Sequence, residues 1–208
     1  MDYKITVVGI GPGSPEYLLP VAKKAIDEAR VLVGGARALA DFKPAQCETR
    51  LIDRDLAGVV AFIRSKLTES DVVVMVSGDP GFYSLLAVLK EQFSPEIITV
   101  IPGISSMQMA FARLGFTWQD AEFFSLHGRE LGETDLAYRS RRKIAFLTDA
   151  KYYPGWIAQR LQATGWPETT DIWLCSDLSY ETERILRVNL NEAVRLLGFE
   201  CCVMVVMG

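Results

Sequence analysis

Short apolar runs rich in Val and Ile recur along the chain, each closed by Gly, Pro or Asp, at residues 5–8, 31–33, 72–76, 97–101, 144–147, 172–175 and 202–206. Such runs barely alternate with polar residues, which is the pattern of strands buried on both faces. Between several of them the apolar positions change to helical spacing. Over 15–29, Leu18, Leu19, Ala22, Ala25, Ile26 and Ala29 share one face, with Lys23, Lys24, Asp27 and Glu28 opposite. Residues 56–67, 82–92, 105–114 and 153–163 read as helices in the same way. Strands alternating with helices predict an α/β fold with a largely parallel sheet. Gly/Pro loops follow the strands up to about residue 115, and the loops beyond are more acidic. Two small α/β domains are therefore expected, over 1–115 and 120–208.

A chain of 208 residues, 50% of them hydrophobic, is long enough to bury about 70% of its unfolded surface. The net charge of −4 argues against a non-specific nucleic-acid binder. No run reaches the roughly 18 apolar residues of a membrane span, and the start does not read as a signal peptide. Cys47, Cys175, Cys201 and Cys202 form no C-x-x-C pair and suit small buried hydrophobes, so a reduced, cytoplasmic protein is expected. His127, the sole histidine, excludes a zinc site built on several histidines and restricts any Ser-His-Asp triad to that residue. No metal site is expected.

Three strand ends carry unusual loops. The first reads Val8-Gly9-Ile10-Gly11-Pro12-Gly13-Ser14-Pro15-Glu16. Ser14 is a candidate N-cap with Pro15 at the first helical position, and the glycines would let a ligand approach the main chain. A dinucleotide fingerprint fails here. The spacing is G-x-G-x-G, Pro12 removes an amide, Glu16 opposes a phosphate, and the second strand ends in Gly34-Gly35 without a carboxylate for a ribose. A P-loop fails for want of Gly-Lys-Ser/Thr, and a purely structural turn stays open as the alternative. The second loop, Ser77-Gly78-Asp79-Pro80-Gly81-Phe82-Tyr83-Ser84, offers a carboxylate and amides to a cationic or hydroxylated ligand, or else caps a helix. The third, Ile101-Pro102-Gly103-Ile104-Ser105-Ser106-Met107, opens a helix and carries the same two readings.

These loops, V-G-I-G-P-G-S-P-E, S-G-D-P-G-F-Y-S and I-P-G-I-S-S, resemble those of the tetrapyrrole (corrin/porphyrin) methylases, in the family's order and along essentially the whole chain. The second loop and F-F-S-L-H-G-R at 123–129 are most similar to the branch that methylates C5 of a precorrin or cobalt-precorrin. The resemblance implies the class III methyltransferase fold, two small α/β domains with a cofactor cleft between them, in a homodimer. It also implies S-adenosyl-L-methionine as methyl donor in cobalamin biosynthesis. Carried over by motif, the cofactor contacts are Pro12, Gly78, Asp79, Phe82, Ile104, Ser105 and Ser106. Leu147, Thr148 and Leu178 close over the adenosine. Asp79 is also a candidate for the chemistry. His127 is a candidate for proton transfer or substrate contact, with a structurally satisfied histidine as the alternative. Arg113 and Arg129 are candidate contacts for substrate carboxylates; the run Arg139, Arg141, Arg142, Lys143 is either another such contact or a solvated loop. A chain of this length implies a separate CbiT-type C15-methyltransferase as functional partner. Other members of the family, acting on uroporphyrinogen III or as diphthine synthases, remain alternatives, as does a non-catalytic nucleotide-binding module.

Overall fold

The computed structural model describes residues 3–126, 132–199 and 202–208, which form two compact units, Met1–Ser105 and Ser106–Gly208. In the first unit, β1 (Ile5–Gly9), β2 (Val31–Gly34), β3 (Glu48–Leu51), β4 (Val72–Val76) and β5 (Ile98–Ile101) form a wholly parallel sheet in the order β3-β2-β4-β1-β5. Helices cover both faces, which is why β2 and β4 are apolar throughout and β1 departs only at Thr6. Ala22 and Ile26 of α1 (Pro20–Asp27) and Ala38 of α2 (Ala36–Phe42) pack with Val8, Leu32 and Met75. Val59 and Ile63 of α3 (Leu56–Lys66) and Leu89 of α4 (Leu86–Gln92) pack with Val7, Val33 and Val74 on the opposite face.

Two helices begin later than their apolar spacing predicts. The stretch at 15–29 divides into a 3-10 turn, Pro15–Tyr17, and α1, because Pro20 cannot continue a helix and holds Leu19 extended at ψ 141°. Ser14 does act as a cap, its hydroxyl accepting from Glu16 N at 3.3 Å, but it caps the short turn. At 82–92 the first four residues form turns, and Tyr83 has a left-handed φ of 49°.

The second unit is a mixed sheet and not the parallel one expected. Its order is β6 (Ala121–Ser125), β7 (Lys143–Leu147), β10 (Cys202–Met207), β8 (Asp171–Ser176), β9 (Arg184–Asn189), and only the β6–β7 pair is parallel. One face carries Ile144, Phe146, Ile172, Leu174, Met204 and Val206 against α7 (Pro154–Ala163) and α8 (Leu190–Ala193). On the other face lies α5 (Ser106–Leu114), packed on β10, with the Phe111 ring 5.9 Å from that of Phe123. Composition had placed this helix in the first domain. Its buried Met109 and Phe111 instead put it in the second unit, so the boundary falls before α5, not after it.

Candidate active site

Strands β4, β1 and β5 are neighbours in the parallel sheet, so the three loops leave adjacent carboxyl ends, where open α/β sheets bind ligands. Their main chains interlock. Gly11 N donates to Gly78 O at 3.3 Å and Gly78 N donates to Gly11 O at 2.8 Å, joining the first loop to the second. Both glycines are left-handed, with φ of 81° and 68°. The third loop is joined to the second by Asp79, whose Oδ2 accepts from Gly103 N at 3.0 Å while Oδ1 accepts from Gly81 N at 2.8 Å.

This geometry reassigns the glycines. A Cβ on Gly9 would lie 2.6 Å from both Gly103 N and Gly78 O, and one on Gly103 would lie 2.3 Å from Gly78 O. Their bareness is required first by the approach of the loops to one another, before that of any ligand. Asp79 is likewise a tie between loops, with both carboxylate oxygens engaged by amides. Around this knot Pro12, Phe82 and Ile104 are half-buried, while Gly78 and Ser105 are buried. Ser106 begins α5.

The chemistry of these loops is distinctive. Residues 9–17, 77–85 and 101–106 contain no Lys or Arg, but they do contain Glu16 and Asp79. Such an edge suits a neutral or cationic ligand recognised by hydroxyls and apolar surface; its amides at Gly11, Gly78, Gly81 and Gly103 are spent within the loops and give a pyrophosphate no partner. That donor set fits a nucleoside carrying a sulfonium and an amino acid. Arg37 and Arg54 follow β2 and β3, farther along the same carboxyl edge, and Arg54 escapes sequence reading because the charged strand β3 does not stand out as an apolar run. A cavity of about 380 Å³ lined by Glu28, Arg30, Ser70 and Asp71 lies at the opposite, amino ends of the strands.

In the second unit, Leu147 ends β7, and Thr148 and Leu178 lie in the loops after β7 and β8. Both strands run antiparallel to β10, with Leu147 opposite Val203 and Ser176 opposite Cys202, so the three residues gather at one end of that sheet. The Thr148 hydroxyl donates to Cys202 O at 3.0 Å and accepts from Cys202 N at 2.8 Å, which gives it a structural role at the strand end. Leu178 is buried.

Four of the candidate basic residues already have partners within the chain. Arg113 Nε donates to Glu183 Oε1 at 2.7 Å. Arg142 is buried, forms a two-point bond with Glu122 at 2.8 Å for each N···O contact, and donates to the carbonyls of Ala137 and Asp135 at 2.6 Å. Arg139 also reaches Glu122, and Lys143 donates to Asp120 Oδ1 and Thr117 O at 2.8 Å. Burial raises the Glu183 carboxyl, but Arg113 and the Ser179 amide outweigh it and hold the group below the usual range. Burial pushes the Cys175 thiol up to about 12, which makes it inert as a nucleophile. His127, Arg129 and Cys201 lie outside the described residues. Among the described residues no group of three or more His, Cys, Asp or Glu could hold a metal ion, and no helix is long and apolar enough to cross a membrane.

Comparison with known proteins agrees with this picture. The chain is 36% identical over 181 residues to the cobalt-precorrin-7 C(5)-methyltransferase of Salmonella typhimurium, covering 87% of this chain and 88% of that one. The solved precorrin-6Y methylase of Archaeoglobus fulgidus superposes with a TM-score of 0.74 at 26% identity, over 98% of this chain and 96% of that one. A uroporphyrin-III C-methyltransferase from Thermus thermophilus, solved with S-adenosylhomocysteine, shares the fold at a TM-score of 0.76 and 19% identity, over 98% of this chain and 91% of that one. The family model of the tetrapyrrole (corrin/porphyrin) methylases matches residues 4–194, and the chain belongs to that family.

Proposed function

We propose that this protein transfers a methyl group from S-adenosyl-L-methionine to C5 of cobalt-precorrin-7 or its cobalt-free counterpart, in cobalamin biosynthesis. The observation that carries the proposal is the interlocked edge of β4, β1 and β5, which sets half-buried Pro12, Phe82 and Ile104 around the knot with no basic residue in its three loops. The 36% identity to a C5-methyltransferase over most of both chains supports the choice of substrate.

When bound, the donor supplies a methyl group on a sulfonium, which is already a good leaving group. The protein has mainly to orient two partners and exclude water. Pro12, Gly78, Phe82, Ile104, Ser105 and Ser106 are assigned to holding the donor, and Leu147, Thr148 and Leu178 to its adenosine. Asp79 keeps the second and third loops joined while they do so. The acceptor is an electron-rich ring carbon, so no activated side-chain nucleophile is needed. The reading includes a cytoplasmic homodimer working beside a separate CbiT-type C15-methyltransferase.

Calorimetry with S-adenosylhomocysteine, S-adenosylmethionine and NAD tests the donor. The two sulfur ligands are expected to bind, with no heat from NAD. Binding of NAD alone would overturn the assignment.

A further inference from the structure

Leu178 sits between two non-glycine residues in the left-handed region, Asp177 at φ 49° and Ser179 at φ 73°. Such backbone persists only where its surroundings hold it. Here the holding group is identifiable. Glu183 Oε2 accepts from Ser179 N at 2.7 Å, and Oε1 accepts from Arg113 Nε at 2.7 Å. Backbone bonds close the same loop, from Tyr180 N to Asp177 O and from Glu183 N to Tyr180 O, both at 3.0 Å. The Arg113 and Glu183 side chains are 35% and 21% exposed, so water screens their pair only in part. Arg113 stands in the last turn of α5, the helix that opens at Ser106.

We infer that Arg113 and Glu183 are positioning residues for methyl-donor binding: their ion pair fixes the strained loop that presents Leu178 and ties it to the helix that begins at Ser106. The inference rests on the donor reading above, with Leu178 and Ser106 as contacts. It makes Arg113 a support of the donor site and not a contact for the tetrapyrrole.

The test is calorimetry with S-adenosylhomocysteine together with steady-state kinetics on Glu183→Ala, Glu183→Gln, Arg113→Met and Arg113→Lys. Losing a charge-assisted hydrogen bond is expected to weaken S-adenosylhomocysteine binding about tenfold in Glu183→Ala and Arg113→Met. Glu183→Gln keeps an acceptor for Ser179 N, and the Arg113 donor it no longer satisfies is a partly exposed side chain that can turn to water, unlike a backbone amide, so a roughly threefold loss is expected. Arg113→Lys should recover part of what Arg113→Met loses. The KM for S-adenosylmethionine should rise in parallel, with kcat at saturating donor and the KM for the tetrapyrrole unchanged. The milder Gln and Lys variants decide the matter if the others fail to fold. Unchanged donor affinity in folded variants would overturn the inference, as would a raised tetrapyrrole KM alone in Arg113→Met. Failure of the unsubstituted protein to bind S-adenosylhomocysteine would instead remove the donor reading on which the inference rests.

Discussion

Gly103→Ala is expected to weaken S-adenosylhomocysteine binding by about a hundredfold. The added Cβ would lie 2.3 Å from Gly78 O, 2.8 Å from Gly9 C and 2.9 Å from Gly9 Cα. All three are backbone atoms of the neighbouring loops, so no side chain can swing aside. Relief requires the third loop to part from the other two, breaking the bond from Gly103 N to Asp79 Oδ2. Overpacking of this kind costs about 3 kcal/mol. If the loops relax when free and must be forced together to bind, that cost appears as a loss of roughly two orders of magnitude in affinity. Gly35→Ala is the control, since a Cβ there meets nothing within 4 Å and φ is already −65°. It should bind normally and lose about 0.5 kcal/mol of stability at most. Calorimetry and thermal unfolding on both variants check the pair of expectations. Normal binding by Gly103→Ala would show that the interlocked loops are not the donor site.

Asp79→Asn should be nearly as damaging as Asp79→Ala, although it preserves shape. The carboxylate accepts from two amides, Gly81 N and Gly103 N, one on each oxygen. An amide side chain has one acceptor oxygen, and its NH2 would face the remaining N–H as donor against donor. Leaving a half-buried N–H unmatched costs about 1–3 kcal/mol, which corresponds to a roughly 10- to 100-fold loss of donor affinity in both variants. A carboxylate acting on the reacting atoms would behave otherwise. It would lower kcat at saturating S-adenosylmethionine while leaving S-adenosylhomocysteine affinity intact. The split between donor affinity and kcat therefore distinguishes a tie between loops from a residue of the chemistry.

What could be read from sequence followed burial. Strands at the centre of either sheet, such as β1, β4, β7 and β10, are covered on both faces and announce themselves as apolar runs. The strands that escaped notice are β3, β6 and β9, each at an edge of its sheet. Glu48-Thr49-Arg50-Leu51 and Arg184-Ile185-Leu186-Arg187-Val188-Asn189 carry charge because their surroundings are partly water. The three loops were legible from their glycines and prolines, but their roles were not. That Gly9, Gly78 and Gly103 face one another depends on β4, β1 and β5 lying side by side, a fact of topology that spacing does not encode. The partners of the basic residues are hidden for the same reason. Arg113 and Arg142 find their carboxylates at Glu183 and Glu122, distant in sequence.

Methyl transfer to C5 is tested by supplying the purified protein with [methyl-13C]S-adenosylmethionine and cobalt-precorrin-7. One labelled methyl group per macrocycle is expected, at C5, by carbon-13 NMR, with no label on uroporphyrinogen III. Labelled uroporphyrinogen III beside an unmodified late precorrin would contradict it.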